Sequence, residues 1–147
     1  MERRIIFRTW DKKNRQMLYN PAGNIDFGTW WNERCLNDPG MESEIIFMQF
    51  AGLYDRSGKE IFEGDIINYQ SATDTYERAM VHYLNRYVCF GVGKDIPLRS
   101  LRSIEVIGNI FENPQEVPDE CDFPIGTRTN TLFNVLSEKN KYTSRHK

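Results

Sequence analysis

The residues best suited to chemistry are two carboxylates flanking a glycine, Glu63-Gly64-Asp65. That spacing would serve a divalent cation or an acid and base pair, because hard cations take oxygen ligands and general acid-base work needs paired proton carriers. Turn chemistry offers a plainer account and is favoured. Gly64 supplies a positive φ, and Asp65 accepts backbone N–H groups where the apolar run Ile66-Ile67 begins. A metal site would need further ligands, and Asp55, Glu60 and Asp74 are near only in sequence. The second candidate is His82 with Cys89, which a turn at Asn85-Arg86 would bring close, the pairing that a thiol nucleophile requires. No orienting acid follows either residue, and burial is the commoner role of a free cysteine. No catalytic residue, metal ligand or cofactor is therefore assigned. The third candidate is the ring set Trp10, Trp30, Trp31, Tyr19, Tyr54 and Tyr69, with Arg3, Arg4, Arg8, Lys12, Lys13 and Arg15 beside its first member. Such a set would stack the bases of a single strand. Packing in a core or a protein contact is favoured, since aromatic rings dominate both.

The whole-chain balance supports the plainer readings. The 147 residues carry 19 Lys and Arg against 21 Asp and Glu, a net charge of -2. That is not the basic excess of a dedicated nucleic-acid binder. Aromatic residues make up 13%, too many for a disordered chain. Mean hydropathy is -0.61, and no apolar run approaches the roughly 20 residues that cross a bilayer, so no membrane span is expected. The opening MERRIIFRTWDKK lacks the apolar stretch of a secretory signal. Cys35, Cys89 and Cys121 form neither a C-x-x-C pair nor a disulfide framework. A cytoplasmic location is the expectation.

The elements that must position these groups are short strands. Ile5 to Trp10 and Gln16 to Tyr19 flank the polar cluster Asp11-Lys12-Lys13-Asn14 and predict an N-terminal hairpin. Glu44 to Phe50 predicts a buried strand, Asp55-Arg56-Ser57-Gly58 a type I turn, and Ile66 to Tyr69 the next strand. Tyr76 to Leu84 alternates as one continuous strand, followed by Tyr87 to Val92 and by Ile104 to Phe111. The fold class expected is mainly β: a small SH3-like antiparallel barrel with an N-terminal β-hairpin extension and a short C-terminal helix. The helix would span Thr131 to Lys139, and the acidic, proline-containing stretch from Glu112 to Asp122 reads as an extended linker. Residues 1–116 are thus expected to form the barrel domain, and 117–147 a linker, short helix and disordered basic tail.

Three segments stand out in order along the chain. The first is the IxFRxWD start at Ile5 to Asp11, and the last is VIGNIFENP from Val106 to Pro114. Between them lies FMQFAGLYDRSGKEIFEGDII. All three in this order resemble the YopX family of small phage and prophage proteins, with Gln49, Gly52, Leu53, Asp55, Gly58, Ile61, Glu63, Gly64 and Asp65 in the family's places. Phe62 and Phe111 stand where a tyrosine is common, and Ala51 where a threonine is common. The resemblance implies an SH3-like barrel, carriage on a phage or mobile element within a bacterial host cell, and self-assembly. It implies no activity, so Gly52, Asp55, Gly58, Glu63, Gly64, Asp65, Gly108, Asn109 and Pro114 are read as structural. Trp10, Trp30, Trp31, Leu132, Phe133 and Leu136 are read as contact surface. The functional expectation is a noncatalytic interaction protein, a homo-oligomer or a partner of a phage or host protein, with no membrane role. A nucleic-acid-binding accessory protein is the alternative, and a metal-assisted enzyme comes third.

Overall fold

Phe7-Arg8-Thr9-Trp10 is rich in rings and branched side chains, and Asp11 has the short carboxylate that turns a chain. That carboxylate accepts the Lys13 and Asn14 N–H groups at 2.9 and 3.0 Å, and Arg15 completes the turn at φ 52°. The computed structural model describes residues 4–19 and 45–118. In it β1 (Phe7–Asp11) pairs with β2 (Gln16–Tyr19), Trp10 opposite Met17. On its other side β1 pairs with β3 (Ile45–Tyr54), and β3 with β4 (Glu60–Phe62), giving the order β2-β1-β3-β4. The expected hairpin therefore exists as half of a four-stranded sheet. Strand β3 runs past Phe50 to Tyr54, through a register shift in which Gly52 lies at φ 85°.

The second sheet is β10-β5-β6, from β5 (Asp65–Gln70), β6 (Tyr76–Met80) and β10 (Arg102–Asn109). The third is β7-β8-β9, from β7 (His82–Leu84), β8 (Cys89–Val92) and β9 (Ile96–Pro97). Every pairing is antiparallel. All three sheets contribute to one core of Ile61, Ile67, Tyr69, Val81, Val92, Leu98 and Ile104, around which the strands curl as a half-barrel. The mainly β, antiparallel architecture is the expected one. The opposite face of β5 and β6 is covered too, by Ile110 and Val117 against Ile66 and Met80. Phe111 joins that cluster to a third, formed by Trp10, Ile46 and Met48.

Three expectations need correction. The alternation from Tyr76 to Leu84 is not one strand. Val81 donates its N–H to the Asp65 carbonyl and accepts from the Gly64 N–H, both at 2.8 Å, so the β4–β5 turn interrupts the strand. Strand β6 stays with β5, and β7 leaves to pair with β8. The acidic stretch after Phe111 does not begin as a free linker either. Pro114–Glu116 form a 3-10 turn, which proline favours at its first position, and Val117 is buried. The burial of one apolar side chain anchors the segment against β5 and β6. The expected helix at 131–139, with Leu132, Phe133 and Leu136, lies outside the described residues, as do Trp30 and Trp31. Among the described residues no helix is long and apolar enough to cross a membrane.

The β7–β8 turn takes four residues, Asn85 to Val88, where two were expected. Val88 sits at φ 54° and is 75% exposed, a conformation in which a branched side chain crowds its own carbonyl. Val88→Asn is expected to raise the unfolding free energy by about 1 kcal/mol, read from the urea midpoint at unchanged slope.

Candidate functional site

Gly64 adopts φ 85°, which permits the tight Glu63-Gly64 turn between β4 and β5. Its peptide groups are bonded on both sides: the N–H to Val81, and the carbonyl to the Ile110 N–H at 3.0 Å. This turn aims both flanking carboxylates inward. Asp65 is 1% exposed and Glu63 9%. The Asp65 Oδ1 meets Arg8 Nη1 at 2.7 Å, and its Oδ2 accepts the Phe62 N–H at 2.8 Å. Arg8 Nη2 donates to the Glu63 carbonyl at 3.1 Å, and the guanidinium lies 4.9 Å from the centre of the Phe62 ring. Both side chains of the Arg8–Asp65 pair are 2% exposed.

Burial pushes the Asp65 carboxyl up, while the Arg8 charge and the Phe62 N–H pull it back. Burial pushes Glu63 up to about 7, against a backbone hydrogen bond from Gln49 and the charge of Arg8. The arrangement is a closed ion pair with a second carboxyl beside it, and it joins the first sheet to the second. The further carboxylates proposed for a metal are occupied elsewhere: Glu60 pairs with Arg4 at 3.4 Å and Asp74 with Arg102 at 2.8 Å. Among the described residues no group of three His, Cys, Asp or Glu side chains is placed to hold a metal ion.

Asp55 makes a second junction. Its Oδ1 accepts the Ser57 and Lys59 N–H groups at 2.9 Å each and the Ser57 hydroxyl at 2.7 Å. Its Oδ2 accepts the Val106 N–H at 3.0 Å, across to β10. Burial alone would raise this carboxyl, but the bonds from Val106, Ser57 and Lys59 outweigh it and hold it at about 2. Gly58 closes the turn by donating to the Asp55 carbonyl at 3.0 Å.

The last motif is a third local lock. The Asn109 Oδ1 accepts the Phe111 and Glu112 N–H groups at 3.0 and 2.9 Å, and Asn113 Oδ1 accepts the Asn109 N–H at 3.2 Å. A Cβ on Gly108 would lie 2.5 Å from that same Asn113 oxygen, so a side chain there would displace Asn113 from its bond to Asn109. Pro114 follows and starts the 3-10 turn.

His82 and Cys89 are not brought opposite one another. The register sets Leu84 opposite Cys89 and His82 opposite Gly91. The His82 Nε2 lies 2.7 Å from the Gly93 carbonyl, and burial lowers the imidazole's proton affinity against that bond and one with the Tyr83 backbone. Trp10 is 8% exposed and stacks on Phe111, ring centres 5.4 Å apart, so its ring holds the first sheet to the residues after β10. The basic cluster beside it divides: Arg8 is buried, Arg4 bonds the Tyr54 hydroxyl and Glu60, and Lys12, Lys13 and Arg15 remain exposed at the hairpin tip.

Sequence reasoning grouped Arg8 with those surface cations and missed its role. The signal was present. Arg8 and Trp10 are two apart on one strand and share a face, so a buried Trp10 implies a buried Arg8 and a carboxylate to meet it.

A family model described as YopX protein matches residues 6–117. The fold is similar to that in the crystal structure of protein EF1440 from Enterococcus faecalis, with a TM-score of 0.55 and 24% identity. That likeness covers 80% of this chain and 100% of the other. None of the curated proteins matches.

Proposed function

From the premise that this chain belongs to the YopX family, we propose that it is a noncatalytic interaction protein of a phage or prophage, acting in the bacterial cytoplasm by binding copies of itself or a phage or host protein. The observation that carries this reading is how the two kinds of residue are used. Asp55, Asp65 and Asn109 spend their polar atoms on the chain's own backbone and on Arg8. Tyr19, Tyr54, Tyr76 and Tyr87, by contrast, are 45% to 67% exposed, and tyrosine is enriched in protein contacts because its ring is apolar and its tip wet. Light scattering is expected to give a mass that is a multiple of 17.3 kDa, reduced when residues 118–147 are removed. A strict monomer at high concentration, unchanged by that truncation, would end the self-association reading.

A second reading rests on the hairpin tip. Lys12, Lys13 and Arg15 are exposed together on a turn that the Asp11 carboxylate shapes by accepting the Lys13 and Asn14 N–H groups, which suits phosphate contacts. Three such contacts predict that log affinity for duplex DNA falls with log salt at a slope of about -3, and that K12A/K13A/R15A abolishes the dependence. Absence of binding at low salt would dispose of this reading.

A further inference from the structure

At the junction of the first two sheets the buried Arg8 guanidinium meets the Asp65 carboxylate and the Glu63 main-chain carbonyl, and the Glu63 carboxyl is buried on the same turn. With both carboxyls ionised the site holds a net negative charge away from water, which is costly at any reasonable dielectric. A proton held on one of the two carboxyls removes that excess charge. Asp65 has the direct 2.7 Å contact with Arg8 and the Phe62 N–H, so Glu63 is the carboxyl that keeps the proton. Arg8 also has an unused donor: its Nε has no hydrogen-bond partner, although the side chain is 2% exposed. An ionised Glu63 would compete with Asp65 for that guanidinium.

We propose that Arg8, Asp65 and Glu63 form a proton-operated latch, in which release of the Glu63 proton loosens the hold of β1 on the β4–β5 turn. Among the described residues the charged groups acting on the site are Arg8 from β1, Asp65 from β5 and, on Asp65, Lys59 ahead of β4. Trp10 stacks on Phe111 from the same face of β1, so a loosened β1 uncovers both that aromatic contact and the Asp65 carboxylate. The availability of this face to a partner then depends on pH.

The direction follows from linkage. Glu63 ionises at about 7 in the closed site and near 4.5 when released, so the closed form binds the extra proton between those values. Opening therefore grows more favourable as pH rises through that window, by about tenfold per pH unit, and levels off above it. Amide hydrogen exchange on the full chain, corrected for the intrinsic pH dependence, reads this. Protection at Arg8, Thr9 and Trp10 is expected to fall by at least about tenfold between pH 5 and pH 7. Amides of β10 should hold constant, and Glu63→Gln should flatten the β1 profile. An identical profile in Glu63→Gln, or a parallel fall across β10, would overturn the latch. Should the variant fail to fold, carboxyl NMR of the unmodified protein decides the matter. A Glu63 midpoint near 7, with a matching shift of the Arg8 Nε–H signal, supports the proposal, and a midpoint near 4.5 refutes it.

Discussion

Arg8→Met is expected to lower the unfolding free energy by about 3–5 kcal/mol, the cost of leaving a buried carboxylate without its cation. For a domain held by about 5–15 kcal/mol this is a large share, and the urea midpoint should fall accordingly. The reason lies in what Asp65 loses. Its Oδ1 sits 2.7 Å from Arg8 with both side chains 2% exposed, so water cannot replace the guanidinium without opening the junction. The orphaned Asp65 would take up a proton instead, and the variant should regain part of its loss as pH falls. Asp65→Asn tests the other half. It keeps an acceptor for the Phe62 N–H and removes only the charge, leaving Arg8 buried without its partner carboxylate. Combined in Arg8→Met/Asp65→Asn, both charges are gone, and the double variant should be more stable than the sum of the singles predicts by about 2 kcal/mol. Strict additivity would mean that the two groups do not act as a pair.

Asp55→Ala is expected to cost about 2–4 kcal/mol, because one carboxylate satisfies donors from Ser57, Lys59 and Val106. The loss is tertiary as well as local. The Val106 bond ties the β3–β4 turn to β10, and the Arg56 N–H bond to the Ile104 carbonyl at 2.9 Å depends on the same placement. Asp55→Asn separates the parts. Its remaining oxygen can serve Ser57 and Lys59, while its amide opposes the Val106 N–H, so a smaller loss of about 1–2 kcal/mol is expected. The pH dependence has a definite sign. The carboxyl is held at about 2 against an ordinary value of 3.8, so its contribution is complete above 3.8 and is lost as pH falls toward 2. Acid unfolding of Asp55→Asn should lack that share of the slope.

The two cases show why the motifs invited more than one reading. A carboxylate next to a glycine has the same composition in a cation site, an acid and base pair, and a turn that meets a distant arginine. The local part was legible: Gly64 supplies the positive φ and Asp65 accepts the Phe62 N–H, as turn chemistry requires. The distant part was not, because Arg8 lies 57 positions before Asp65 in the chain and no spacing rule links them. Asp55 repeats the pattern. Its bonds to Ser57 and Lys59 belong to the expected turn, while the bond to Val106 crosses 51 positions.

The strand at Val81 illustrates the converse. Alternation predicts which side a residue takes, and it does so correctly at Met80 and Val81, which enter different clusters. It says nothing about which neighbour supplies the hydrogen bonds. The Gly64 peptide claims Val81, and one alternating run becomes two strands in two sheets.

From its residues alone this chain is a mainly β, antiparallel protein with turns at Asp55 to Gly58 and Glu63 to Asp65, because backbone preference, side-chain period and turn chemistry act over a few positions. Which carboxylate meets which cation, whether Trp10 is outside or within, and where the acidic segment comes to rest were decided only by packing. Burial excludes water from groups far apart in the chain, and it is the loss of water that turns Arg8, Asp65 and Glu63 from surface charges into one coupled site.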